Sequence, residues 1–179
     1  MMTTVVNLYG APGAGKSTGA AYVFAKLKLD GVNCEYVPEF AKDKCWEDNK
    51  TVFSIPENQF FIGANQLYRM TMLKDKVDVI ITDSPLYLNA FYNTSDALGK
   101  EYETVMFRLS NMFDNMNFFV HRMKAYCNAG RKQTVIEADM MAVDLVKFLD
   151  KRAIECIDVT GDVEGYETIY KMVKDKLSK

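Results

Sequence analysis

A chain of 179 residues can bury one hydrophobic core of ordinary size and is short for two domains, so a single domain over residues 1–179 is expected. Hydrophobic residues at 49% and charged residues at 26% sit at globular averages, which points away from a disordered or fibrous chain. The formal net charge of −2 gives no whole-molecule attraction to a polyanion and argues against a general nucleic-acid binder.

In chain order, the β-branched run Thr4 to Tyr9 reads as a first strand, followed by a glycine-rich turn and a helix with Ala20, Val23, Phe24 and Leu27 at helical spacing. Further strands are expected at Asn33 to Pro38, Asp78 to Thr82, Asn117 to His121 and Ile154 to Val159. Helices are expected from Glu57 to Val77, after Gln133, and along Tyr166, Ile169, Tyr170, Val173 and Leu177. Thr134 and Glu137 have capping-box spacing ahead of the apolar positions Ile136, Met140 and Val143. Phe40 to Glu57 and Arg122 to Gln133 read as irregular stretches. Alternating strands and helices predict an α/β fold with a doubly wound, five-stranded parallel sheet. Ligands of such sheets sit beyond the strands' carboxyl ends, so residues of about 40–76 are expected to cover an acceptor and residues of about 122–133 to form a short lid.

Cys34, Cys45, Cys127 and Cys156 form no C-x-x-C pair, and His121 is the single histidine, so free thiols in a reducing cytoplasm are expected. No basic stretch opens the chain and no window approaches ~18 consecutive apolar residues, so no membrane partner is expected.

Gly10-Ala11-Pro12-Gly13-Ala14-Gly15-Lys16-Ser17 fits G-x-x-x-x-G-K-[ST] between a strand and a helix. Glycines let successive backbone N–H groups turn onto phosphate oxygens, and a helix N-terminus adds partial positive charge. The expected ligand is ATP, held from Gly10 to Thr18, with Lys16 at the β- and γ-phosphates and the Ser17 hydroxyl on Mg²⁺. Asp83 ends an apolar strand, where a carboxylate holds the Mg²⁺ hydration shell or positions a nucleophile.

Glu39 follows the second strand and is placed to take a proton from an attacking hydroxyl or to bond a sugar, with a solvated strand-end glutamate as the plain alternative. Gln59, Gln66 and Arg69 share one side of a helix, and Trp46, Phe60, Tyr87 and Tyr92 offer faces for stacking on a base. Arg122 and Arg131 lie in a basic segment after a strand, suited to charge stabilisation by a closing loop.

The motifs GAPGAGKST, PEFAK, IGANQLYR leading into VDVIITDSPL, and RMKAYCNAGRKQT together resemble P-loop kinases related to the ribosylnicotinamide kinase domain, including small phage-encoded proteins described as kinases or ATPases. The resemblance runs along nearly the whole chain. It implies a three-layer P-loop kinase fold in which Lys16 and Ser17 hold ATP and Mg²⁺, Asp83 and Glu39 lie between metal and acceptor, and Arg122 and Arg131 belong to the lid. Deoxynucleoside kinases are similar in placing a glutamate after the second strand with an aromatic cover such as Trp46. Phe40 and Lys42 stand where ribosylnicotinamide kinases commonly have tyrosine and arginine, and the adenylyltransferase domain found beside some of them is absent. The resemblance implies transfer of a phosphoryl group to a nucleoside- or nucleotide-type acceptor, with Glu39, Phe40, Trp46, Gln59, Gln66, Arg69 and Tyr87 as its candidate contacts. Hydroxymethylpyrimidine bases of phage DNA, an acceptor-free NTPase switch, a nucleotide-dependent binding module and a homodimeric assembly stay open as alternatives, as does a host-cytoplasmic setting.

Overall fold

The structure, a computed structural model, describes residues 2–47, 50–125 and 134–178. Five strands, β1 (Thr4–Tyr9), β2 (Cys34–Val37), β3 (Val79–Thr82), β4 (Asp114–His121) and β5 (Ile157–Thr160), form one sheet in the order β2-β3-β1-β4-β5. Every pairing is parallel. All six residues of β1 are buried, as expected for a central strand covered on both faces.

Eight helices connect and cover the strands among the described residues: α1 (Lys16–Leu29), α2 (Phe40–Trp46), α3 (Lys50–Ser54), α4 (Asn58–Thr71), α5 (Leu88–Phe91), α6 (Gly99–Ser110), α7 (Val135–Asp150) and α8 (Val163–Leu177). Alternation along β1 divides the core. Val6 and Leu8 pack with Ala20, Val23 and Leu27 of α1 and with Ile169 and Val173 of α8. On the opposite face Val5 meets Met70 of α4 and Tyr102 and Met106 of α6, while Tyr9 meets Leu145 and Leu149 of α7. The chain leaves β1 toward β2 and β3 on one side and reaches β4 and β5 on the other, so the sheet order diverges at β1. A crevice at the carboxyl ends follows from that topology.

Several sequence expectations differ in detail. β4 begins at Asp114, three residues before the expected Asn117, because the Asn7 carboxamide donates to Asn115 Oδ1 at 2.8 Å and Asn117 Oδ1 at 3.0 Å. A polar ladder of this kind has no hydrophobic signature. β5 is confined to Ile157–Thr160 because α7 ends in turns in which Ala153 adopts φ 52°. The stretch expected to be irregular contains α2 and α3, and α5 and α6 had no expected counterpart. The Thr134–Glu137 capping box is present, yet Ile136, Met140 and Val143 are exposed and α7 buries Ala138, Leu145 and Leu149 instead. Residues 126–133 of the expected lid lie outside the described residues. No helix of the described residues is long and apolar enough to cross a membrane.

Gly19 of α1 faces the Tyr166 ring of α8, where an added Cβ would lie 2.6 Å from Cε1. The ring is buried and its hydroxyl donates to the Gly15 carbonyl at 3.0 Å, so it has little freedom to yield. Glycine to alanine in a helix ordinarily gains about 1 kcal/mol. Here overpacking is expected to win, and Gly19→Ala should lower stability by about 1–2 kcal/mol in urea unfolding. An unchanged or higher midpoint would show that the ring moves aside.

Candidate functional site

The loop from Gly10 to Gly15 carries the central strand into the N-terminus of α1. Gly10 adopts φ 140°, and a Cβ there would meet the Val120 carbonyl at 2.7 Å. Gly15 has φ 103° and stands at the N-cap of α1, with the Tyr166 hydroxyl 2.5 Å from where its Cβ would be. Larger side chains at either point are opposed by both conformation and space. No side chain caps α1 and its first turn contains no acidic residue. The N–H groups at this end of a 14-residue helix therefore face a cavity with positive polarity and no side-chain oxygen capping them. Lys16 extends back along the loop, donating from Nζ to the carbonyls of Gly10 at 2.8 Å and Ala11 at 3.2 Å.

The cavity has a volume of about 500 Å³. At one end it is lined by Pro12, Gly13, Gly15, Lys16, Ser17 and Thr18, and at the other by α2, α3, α4 and α5. Asp83 and Glu39 stand between the two ends. Asp83 is buried at the carboxyl end of β3 and accepts the Glu39 backbone N–H at 3.1 Å. That bond ties the ends of β2 and β3 together, so the strand-end carboxylate does not serve as a helix cap. The Glu39 side chain is held above the usual carboxylate range by burial, with Lys16 acting to lower it and the Asp83 charge to raise it further. Tyr92, also on the cavity wall, is pushed up by its own burial and then by the Glu39 charge.

Tyr36 of β2 has its pKa raised by burial and by the neighbouring Asp83 charge. Ser17 and Asp83 both line the cavity and offer hard oxygen donors, a donor chemistry that suits Mg²⁺ with part of its water shell retained.

The structure brings Glu39, Trp46, Gln59 and Asp83 to the cavity with the phosphate loop. Trp46 stands at its rim, 71% exposed, and the Gln59 carboxamide donates to Asn89 Oδ1 at 3.1 Å. Four expected acceptor contacts are placed elsewhere. Phe40 turns into the core, edge-on to Phe61 with ring centres 5.4 Å apart and with the Arg69 guanidinium 5.0 Å from its ring centre. Gln66 is fully buried, accepting the Phe40 N–H at 3.0 Å and approaching Thr82 Oγ1 at 3.4 Å. Arg69 is committed to Asp43 and the Pro38 carbonyl. Tyr87 packs on Phe148 and Phe107 on the far side of the sheet. Phe60 rests beside Tyr102, while Tyr92 does reach the cavity wall. Arg122 pairs with Asp139 of α7 outside the cavity, and Arg131 lies outside the described residues.

Sequence reasoning passed over Tyr36, Lys42, Phe53 and Asn89, all but the first of which line the cavity. Tyr36 was detectable by alternation, since Cys34 on the same side of β2 packs against α1. Asn89 carries no signal beyond its place in the segment that follows Asp83.

This sheet order, with a complete G-x-x-x-x-G-K-[ST] loop feeding the first helix, defines a P-loop protein with the fold of the nucleotide kinases. The family model described as an AAA domain matches residues 5–165, and the chain belongs to that family. The chain is 24% identical over 192 aligned residues to protein RecA of Marinobacter nauticus, with 97% of this chain and 55% of RecA covered. It thus spans about half the length of the curated relative it matches. Among solved structures, deoxyadenosine kinase from M. mycoides with bound dATP superposes with a TM-score of 0.55 at 16% identity, covering 98% of this chain and 100% of that one. Thymidylate kinase from Ehrlichia chaffeensis gives 0.55 at 13% identity, covering 99% of both chains. The Mycobacterium tuberculosis APS kinase in complex with AMPPNP and APS gives 0.54 at 13% identity, also covering 99% of both. At these identities the likeness is one of fold.

Glu39 offers a test of the site's electrostatics. A carboxyl raised by burial binds a proton more tightly folded than unfolded, so its contribution to stability falls as pH rises from the ordinary value of 4.5 through the raised one. Glu39→Gln is therefore expected to raise the melting temperature of the nucleotide-free protein at pH 7, with the difference shrinking as pH falls through the raised value toward 4.5. A lower melting temperature for the variant at pH 7 would mean that Lys16 outweighs burial.

Proposed function

We propose that the protein is an ATP-dependent phosphotransferase that moves the γ-phosphoryl group to a hydroxyl of a nucleoside- or nucleotide-type acceptor. The observation that carries this reading is the position of Glu39. It shares one cavity with Lys16, Ser17 and Asp83, and the cavity continues past it beneath Trp46, Phe53 and Ile62. A site that only hydrolysed ATP needs room for one water beside the terminal phosphate. The end of the cavity beyond Glu39, with Trp46, Val52, Phe53 and Ile62 on its walls, suits a larger planar or sugar-bearing molecule, and the whole cavity has a volume within the range of small-ligand sites. The fold is also that of deoxyadenosine kinase, whose structure holds dATP, and of an APS kinase structure that holds AMPPNP and APS.

In this reading the backbone N–H groups from Gly13 to Thr18 cradle the phosphates and Lys16 leaves its loop carbonyls to meet the β- and γ-oxygens. Ser17 and Asp83 would hold Mg²⁺, which supplies charge neutralisation at the bridging phosphates. Glu39 takes the proton of the acceptor hydroxyl as its oxygen bonds to the γ-phosphorus. The bond from that phosphorus to the β-phosphate oxygen breaks in line, and ADP leaves. A carboxyl held above its ordinary range is a better base near neutral pH than an exposed one. The transfer rate should accordingly rise with pH through the raised Glu39 value.

Incubation with ATP, Mg²⁺ and a panel of nucleosides, nucleoside monophosphates and hydroxymethylated DNA is expected to yield ADP in step with one phosphorylated acceptor. ADP release independent of every acceptor would support an NTPase switch instead. Lys16→Ala is expected to reduce transfer by about 100-fold or more. Its cost to folding should be about 1 kcal/mol, since the bonds that the ammonium gives up in the nucleotide-free protein include those to the carbonyls of Gly10 and Ala11. Activity within a few-fold of the parent chain would remove Lys16 from the chemistry.

A further inference from the structure

A second cavity, of about 990 Å³, shares no lining residue with the cavity at the phosphate loop. Its place follows from the register of the sheet. Tyr9 of β1 is paired with Phe119 of β4, and Phe119 with Asp158 of β5, so the three side chains form one row on the same face. α7 covers part of that row with Leu145 and Leu149. α6 packs instead over Val5 and Ile80, through Tyr102 and Met106, toward the other half of the sheet. Between the two helices the row is left open, walled by Phe107 and Ser110 of α6 and by Val146 and Leu149 of α7.

The chemistry of this cavity is one-sided. Asp150 at the end of α7, Glu155 ahead of β5 and Asp158 within β5 all line it, and among the described residues no lysine or arginine does. Arg152, two residues from Asp150, is committed to Glu103, while Asp158 lies 2.6 Å from His121 Nε2. At the foot of the row Tyr9 is 2% exposed, and its hydroxyl makes no hydrogen bond among the described residues. No side-chain oxygen or nitrogen of those residues is sealed from solvent without a partner, so the Tyr9 oxygen is the part of the residue that opens onto the cavity. A phenol oxygen accepts from an ammonium N–H, and the rings of Phe119, Tyr87 and Phe107 around it offer faces that attract a cation.

We propose that this cavity is a second ligand site, which takes an aliphatic polyamine between α6 and α7 with one ammonium group on the Tyr9 oxygen and others on the Asp150 and Glu155 carboxylates. Three carboxylates on successive pieces of chain call for more than one positive charge, and an apolar floor calls for methylene groups between the charges. A single small amine would leave part of the acidic rim uncompensated. The inference goes beyond the phosphotransferase reading and does not depend on it, since the two cavities have separate walls. Tyr9 nevertheless precedes Gly10 directly, and its ring belongs to the apolar cluster that holds Leu88 and Tyr92 of the first cavity. A ligand on Tyr9 therefore rests on the strand that carries the phosphate loop.

The test is calorimetric titration of the nucleotide-free full chain with spermidine at physiological ionic strength, with the melting temperature as a second readout. Saturable binding of one spermidine per chain is expected. Tyr9→Phe keeps the ring and should weaken that binding about 3–10-fold, while leaving the ligand-free melting temperature level or higher because the lost hydroxyl has no protein partner. The double change Asp150→Asn with Glu155→Gln should weaken it about 10-fold or more. Asp175→Asn, on the exposed side of α8, removes a carboxylate outside the cavity and should leave binding within about 2-fold of the parent. Absence of saturable binding overturns the proposal, as does binding that the double change leaves intact or that Asp175→Asn weakens equally. A lower ligand-free melting temperature in Tyr9→Phe would also overturn it, because the hydroxyl would then serve the fold. Tight binding of a basic peptide where spermidine fails would make the cavity a protein-docking site instead.

Discussion

The structure turns on the junction where β1 becomes α1. A strand buried on both faces delivers the chain to the middle of the sheet's carboxyl edge, and the next six residues must reverse direction while leaving backbone donors open. Here the helix begins with no capping side chain, and the N–H groups of its first turn wait on a partner from outside. The loop is held from behind by elements distant in sequence. Val120 of β4 closes on Gly10, the Tyr166 hydroxyl of α8 meets the Gly15 carbonyl, and the Gly161 N–H donates to His121 at 2.7 Å. The anion-binding geometry is therefore a property of the whole sheet and of α8, not of eight residues alone.

A second constraint follows from placing two carboxylates beside that junction. Glu39 and Asp83 are tied by the Glu39 N–H, which fixes the backbone of one to the side chain of the other. The burial of Glu39 and its repulsion with Asp83 make the Glu39 charge unfavourable in the nucleotide-free protein. Lys16 offsets part of that strain. A site that is electrostatically unfavourable when unfilled, beneath an uncapped helix, is arranged to gain from a cation and a polyanion arriving together. The fold thus relates the stability of the chain to the chemistry proposed for it.

The phosphate end was legible in the sequence because its requirements are local. Glycines at fixed offsets, a lysine and a hydroxyl are needed within eight residues, and apolar runs such as those of β1 and β3 announce their strands. Asp83 and Glu39 were legible for a related reason, since each ends a strand at the edge where ligands gather. The acceptor side was not. Gln66, Arg69, Phe40 and Tyr87 were singled out by residue type, and type does not separate a group facing a ligand from one satisfying a buried backbone. Gln66 illustrates the point, because the N–H of Phe40 needs an acceptor where water does not reach. The short helices α2 and α3 escaped notice because neither is long enough to display a period. The exposure of Ile136, Met140 and Val143 shows that an apolar stripe in a helix need not be its buried face.

The claim beneath all of this is that the open amides ahead of α1 and the Lys16 ammonium grip a triphosphate. The direct measurement is thermal unfolding with increasing ATP in the presence of Mg²⁺. A ligand at 100 times its dissociation constant adds about 2.7 kcal/mol of stability. For a chain of this size that corresponds to a rise of about 5–10 °C, and a saturable rise of this order is the predicted result. A melting temperature that stays level at millimolar ATP and Mg²⁺ would contradict it.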